Sequence, residues 1–111
     1  MKKENYVIEL IKKFLIDSGR PLTAKEIISL LETRCIKISG SSEIRTIIYK
    51  ANLKGIPIGS TINGYIYCNS LSDLKKTKKH LEHRIIAQQK RLLAISKMIA
   101  QRSSEQIKII D

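Results

Sequence analysis

His80 and His83 stand three residues apart in a helical pattern, a spacing at which two imidazoles can share a metal ion. Zinc sites want three or four convergent ligands, and the intervening Glu82 falls on another side of the turn, so no metal and no cofactor is expected. Cys35 and Cys68 form no Cys-x-x-Cys pair. Both are expected as reduced thiols in core or semi-buried packing, Cys68 at a strand end and Cys35 in a loop or short strand. No Gly-rich phosphate loop follows a strand, the carboxylates are scattered, and no Ser–His–Asp or Cys–His set is argued for by spacing. An enzyme is not expected.

The chemistry that is abundant is cationic. The 111 residues carry 21 Lys and Arg against 10 Asp and Glu, a formal net charge of +11. Such an excess on a small chain attracts polyanions over long range, nucleic acid and anionic membrane being the usual targets. No apolar run approaches the roughly 18 residues of a membrane span. Met1-Lys2-Lys3-Glu4 opens an amphipathic pattern rather than a secretory signal. The expected location is therefore cytoplasmic, with no membrane partner and nucleic acid as the polyanion.

The elements that must position these charges follow from apolar spacing. Val7, Ile8, Leu10, Ile11, Phe14 and Leu15 predict a helix from about Glu4 to Ser18, stopped by Gly19 and Pro21. Thr23 with Glu26 three residues on is a capping box, and Ile27, Ile28, Leu30 and Leu31 supply the buried face of a second helix ending near Glu32 or Thr33. The connector Arg34 to Gly40 alternates at Ile36, Lys37 and Ile38, which allows a short extended piece. A third helix, about Ser42 to Lys54, buries Ile44, Ile47, Ile48 and Ala51 and closes at Gly55. Ile56-Pro57-Ile58 and Tyr65-Ile66-Tyr67 predict a hairpin turning at Asn63-Gly64, with positive φ at both turn positions. Ser70 and Asp73 open a last helix, uninterrupted by Gly or Pro to about Gln101, some 30 residues or roughly 45 Å.

The fold class expected is mainly α with a small β-hairpin: a winged helix-turn-helix followed by a long C-terminal coiled-coil helix. Three domains are drawn, a winged helix-turn-helix domain over residues 1–69, a dimerisation helix over 70–102 and a flexible tail over 103–111. The runs Leu22-Thr23-Ala24-Lys25-Glu26-Ile27, Glu43-Ile44-Arg45, Leu53-Lys54-Gly55-Ile56-Pro57-Ile58 and Gly64-Tyr65-Ile66-Tyr67 carry a family likeness. Over about residues 20–68 the chain resembles the winged-helix module of biotin-operon repressors, and small winged-helix proteins of phages and mobile elements. The resemblance implies that the third helix reads DNA and that the hairpin is a wing. The loop before the third helix is longer than in that family, and the helix carries fewer Arg and Asn residues.

In that geometry Ser41, Ser42, Arg45, Thr46, Tyr49 and Lys50 face outward from the third helix. Arg45 can make the bidentate contact to guanine, Ser41, Ser42 and Thr46 can reach a base edge or a phosphate, and Tyr49 and Lys50 suit the backbone. Thr23 and Lys25, at the start of the second helix, are candidates for a phosphate anchor. The wing tip offers Ser60, Thr61 and Asn63, with no Lys or Arg. On the last helix Leu74, Lys78, Leu81, Ile85, Gln88, Leu92, Ile95 and Ile99 repeat at spacings of three and four, a seam for self-association. Ile86 and Leu93 widen it, so that a higher oligomer than a dimer is open. Lys75, Lys76, Lys78, Lys79, His80, His83 and Arg84 make a basic block that reads as phosphate contacts or as a solvated face. The function expected is a dimeric, DNA-binding transcriptional regulator of phage or mobile-element type. The alternative is a winged-helix protein-interaction module that inhibits or recruits a nucleic-acid-handling complex.

Overall fold

A computed structural model describes the backbone of residues 2–110 and the side chains of residues 3–104. Its elements in order are α1 (Lys2–Ser18), α2 (Ala24–Glu32), α3 (Ser41–Leu53), β1 (Ile58–Thr61), β2 (Gly64–Tyr67) and α4 (Leu71–Ile110). The protein is mainly helical, with a two-stranded antiparallel hairpin and a long C-terminal helix. No helix among the described residues is long and apolar enough to cross a membrane. The chain divides into two units, Met1–Lys78 and Lys79–Asp111.

The first unit holds one aliphatic core. α1 buries Val7, Ile8, Leu10, Ile11 and Leu15, α2 buries Ile27 and Leu31, and α3 buries Ile44, Ile47, Ile48 and Ala51. These positions recur every three or four residues, so each helix turns one apolar stripe inward. Leu22, Ile36 and Ile58 close the gaps between helices, while Phe14, Ile28 and Leu30 pack half-buried around them. Each fully buried Ile or Leu contributes about 1.5–3 kcal/mol, so the core is a sum over many equal members.

α2 and α3 end alike. Ile36 N–H reaches the Leu31 carbonyl at 3.1 Å and Cys35 N–H the Glu32 carbonyl at 3.0 Å. Ile56 and Gly55 repeat the pair on Ala51 and Asn52, at 3.0 and 2.9 Å. Both are Schellman terminations, which need one residue at positive φ. Gly55 fills that place at φ 85, but in α2 it falls to Cys35 at φ 60. Cys35 therefore lies in a helix-ending turn, a loop position as one of the two expectations had it, but it is exposed rather than core or semi-buried. The Ile36–Ile38 stretch forms no strand, because the turn drives Ile36 into the core. A non-glycine residue at positive φ costs about 1–2 kcal/mol, partly offset by the chain entropy that glycine loses. Cys35→Gly is expected to stabilise the fold by about 0.5–1 kcal/mol in urea denaturation; a lower midpoint would contradict this account of the turn.

The hairpin pairs Ile58 with Tyr67, Gly59 with Ile66, Ser60 with Tyr65 and Thr61 with Gly64. The turn thus falls on Ile62-Asn63, one residue earlier than predicted, and Gly64 alone in it has positive φ, at 132. The glycine serves the position after the turn rather than its centre, as a type I turn allows. A contact between segments distant in sequence explains the placement. Leu22, between α1 and α2, exchanges two backbone hydrogen bonds with Tyr65 at 2.9 and 2.7 Å, adding a one-residue third rung to the hairpin. A Cβ at Gly64 would lie 2.5 Å from the Leu22 carbonyl oxygen, so only glycine admits that rung.

α4 opens with Ser70 accepting from Asp73 N–H at 3.2 Å, while Asp73 accepts from Asn69 N–H at 3.1 Å. Within the first unit Thr77 lies 3.8 Å from the buried Cys68 thiol, and a Cβ on Gly59 would strike the same threonine hydroxyl. The first unit includes this opening part of α4, through Lys78. The helix also continues to Ile110 instead of ending near Gln101, since Ser103-Ser104 contains neither Gly nor Pro. The side chains of residues 105–111, most of the segment expected as a flexible tail, lie outside the described residues.

The second unit is helical. Every described residue from Leu81 to Ser104 is exposed, including Leu81, Ile85, Ile86, Leu92, Leu93, Ile95, Met98 and Ile99.

Candidate nucleic-acid interface

Ser41, Ser42, Arg45, Thr46, Tyr49 and Lys50 all lie exposed or half-exposed on α3, whose buried side is taken up by Ile44, Ile47, Ile48 and Ala51. The helix starts at Gly40, which has no side chain to cap it. Glu43 instead ties the preceding loop to the first turn: its Oε1 accepts from the Ser39 N–H at 2.9 Å and from the Ser39 hydroxyl at 2.8 Å. The backbone N–H first, and then the hydroxyl, hold the Glu43 carboxyl below its usual range. The Glu43 N–H donates to the Gly40 carbonyl at 3.1 Å, and Ser41 and Ser42 are the leading exposed groups of the helix.

The rest of the row is less free than its sequence suggests. The Thr46 hydroxyl donates to the Ser42 carbonyl at 3.1 Å. Lys50 is 3.3 Å from Glu4 of α1, and Lys54, just past the helix, pairs with the same carboxylate at 3.9 Å and with Asn5. One glutamate on α1 thus offsets two cations at the C-terminal end of α3. Arg45 is the α3 cation that forms no ion pair among the described residues. Nothing local in the sequence announces the Glu4 pairs, which join segments more than forty residues apart.

The start of α2 is also occupied. Thr23 Oγ1 accepts from Glu26 N–H at 3.2 Å, and Glu26 Oε1 accepts in return from Thr23 N–H at 3.0 Å. Arg20, which lies 2.7 Å from Glu26 Oε2, completes the group. A carboxylate therefore sits where a phosphate anchor was expected, and Thr23 acts as a helix cap; Lys25 beside it is exposed. The hydrogen bond from Arg20, followed by that from the Thr23 backbone, lowers Glu26 from 4.5 to about 2. A carboxyl depressed by folding stabilises the fold above its unfolded pKa and loses that contribution as pH falls through the folded value. Acid unfolding is expected to draw on Glu26 between about pH 4.5 and 2, and Glu26→Gln to flatten that limb of the stability curve. An unchanged acid limb in the variant would show that the cluster contributes nothing.

At the hairpin tip Thr61 donates to the Gly64 carbonyl and accepts from the Asn63 N–H, both at 3.0 Å, so its hydroxyl serves the turn. Ser60 is half-buried inside β1, paired with Tyr65, and not at the tip. Asn63 is exposed, and beside it Ile62 is 89% exposed, an apolar side chain that the turn register places outermost.

Leu74, at 45% exposure, belongs to the first unit with Lys78. Leu81, Ile85, Gln88, Leu92, Ile95 and Ile99 share the second, and Arg84 and Arg91 border Gln88 there. His80 and His83 also lie on α4, and no group of three or more His, Cys, Asp or Glu comes together among the described residues. No known protein family, curated protein or solved structure matches this chain.

Proposed function

We propose that the first unit is a winged helix-turn-helix that binds double-stranded DNA, and that the chain works as a dimeric transcriptional regulator. The observation that carries the DNA reading is the exposed row on α3, with Arg45 exposed one turn from the start of the helix. That is the part of a recognition helix that enters the major groove. The order of helix, helix, helix and hairpin supports the same reading, as does the Leu22–Tyr65 rung, which ties the segment before α2 to the wing. A net charge of +11 supplies the long-range attraction.

Binding to a pool of duplexes, followed by fluorescence anisotropy, tests this. Affinity is expected to fall about a thousandfold between roughly 50 and 200 mM salt if each dimer makes about six or more phosphate contacts. At a selected site Arg45→Ala should cost about 1–3 kcal/mol and flatten sequence preference. Lys50→Ala should cost less, because Glu4 already offsets that charge. Equal losses would demote Arg45 to a phosphate contact.

A second reading, a protein-interaction module that inhibits or recruits a nucleic-acid-handling complex, draws on other side chains. Ile62 is 89% exposed at the hairpin tip, with Tyr49 at 61% and Leu53 at 69% on α3. An absence of binding to any duplex at low salt decides in its favour.

A further inference from the structure

We infer that the exposed apolar face of α4 takes a second copy of this chain running parallel and in register, with Gln88 opposite the Gln88 of that copy. The inference rests on the dimer proposed above and assigns its geometry. The face is continuous: Leu81, Ile85, Leu92, Ile95 and Ile99 recur at heptad spacing and are 42–65% exposed. A lone helix in water has only its own propensity to hold it, and a bare apolar stripe of this length is covered in most stable proteins. The same stripe on an identical chain is a matching cover.

The polar residues within and beside the stripe decide the direction. If one helix is reversed while the apolar residues still meet, Leu81 falls opposite Ile99, Ile85 opposite Ile95, and Gln88 opposite Leu92. Each Gln88 amide is then covered by a leucine and left without a partner, at a cost of about tenfold or more per amide in the pairing equilibrium. That register also sets Arg91 beside the Arg91 of the other copy. In parallel register the two Gln88 amides face each other, and each can donate and accept. Arg91 then flanks Ser96 of the second copy, with no like charge opposite. Parallel pairing does bring the two sets of Lys78, Lys79, His80, His83 and Arg84 to one end. Four of these side chains are exposed and His80 is half-exposed, so salt screens their repulsion, while it does not relieve a buried unpaired amide. The parallel arrangement wins, and it concentrates basic charge at the end of α4 nearest the first unit in sequence.

Cysteine cross-linking of the full chain separates the outcomes. Leu81→Cys and Ile99→Cys, each in a Cys35→Ser background and one of them lengthened by a tag, are oxidised mildly, alone and mixed, and resolved on non-reducing gels. Each variant alone is expected to form a covalent dimer, while the mixture gives no covalent product joining one variant to the other. Adding Gln88→Leu to both should release the constraint and let the mixed product appear. A mixed product that dominates with Gln88 intact overturns the parallel assignment and leaves the dimer standing. Absence of cross-links in every sample, together with a monomer mass by light scattering, overturns the pairing itself.

Discussion

Replacing Ile85 and Leu92 together by glutamate is expected to turn the full-length protein into a monomer and to weaken duplex binding by about two to four orders of magnitude. The two side chains are 56% and 65% exposed, so they support nothing inside the chain and the first unit should keep its fold. Burial of each half-exposed side chain against a partner contributes about 1 kcal/mol, and a charge in the seam of each helix replaces that gain with a desolvation cost. On the proposed function, loss of the dimer leaves one DNA-binding unit on the duplex where there were two. Binding then falls by the effective-concentration factor rather than by the worth of any lost contact. Light scattering at tens of micromolar together with anisotropy gives both numbers. A double variant that stays dimeric, or that binds DNA as a monomer with full affinity, removes α4 from the mechanism. Cutting the chain makes the same test less cleanly. The cut must follow Lys78, since Thr77 packs against Cys68 and a cut near Ser72 would strip part of the first unit.

The second large effect is expected at Gly64. Gly64→Val places a branched side chain at φ 132, and its Cβ would lie 2.5 Å from the Leu22 carbonyl oxygen and 2.6 Å from the carbonyl carbon. Neither obstacle is the flexible end of a side chain; the backbone itself has to move. Strain and overpacking together should cost about 3–5 kcal/mol, a drop of roughly 15 °C or more in Tm for a domain of this size. Gly55→Ala is the control. It sits at φ 85 with open space around its Cβ, and should cost only the backbone term of about 1–2 kcal/mol. Thermal melts of the two variants separate clash from φ strain. Similar losses in both would mean that the rung between Leu22 and Tyr65 contributes little.

Much of this protein was legible in one dimension. The three short helices and their buried faces follow from apolar residues repeating every three or four positions, because a helix can hide only one stripe. The Thr23–Glu26 cap and the Ser70–Asp73 bond could likewise be read from the sequence, since those partners are three residues apart and need no tertiary help. The long run of α4 without Gly or Pro was visible for the same local reason.

What remained hidden depends on residues that meet only after folding. Asn63-Gly64 signalled a hairpin, but the approach of Leu22 placed the turn at Ile62-Asn63 and gave Gly64 a position where a side chain cannot fit. Six outward residues on α3 followed from periodicity. That Lys50 is offset by Glu4 while Arg45 forms no ion pair among the described residues followed only from the packing of α1 against α3. Thr77 looks like any polar residue early in a helix, and its contact with Cys68 arises only in the fold. Local pattern determined the elements, because helix, turn and cap energies are settled within a few residues. Tertiary structure decided which charges remain available, because an ion pair depends on what the fold brings within about 4 Å.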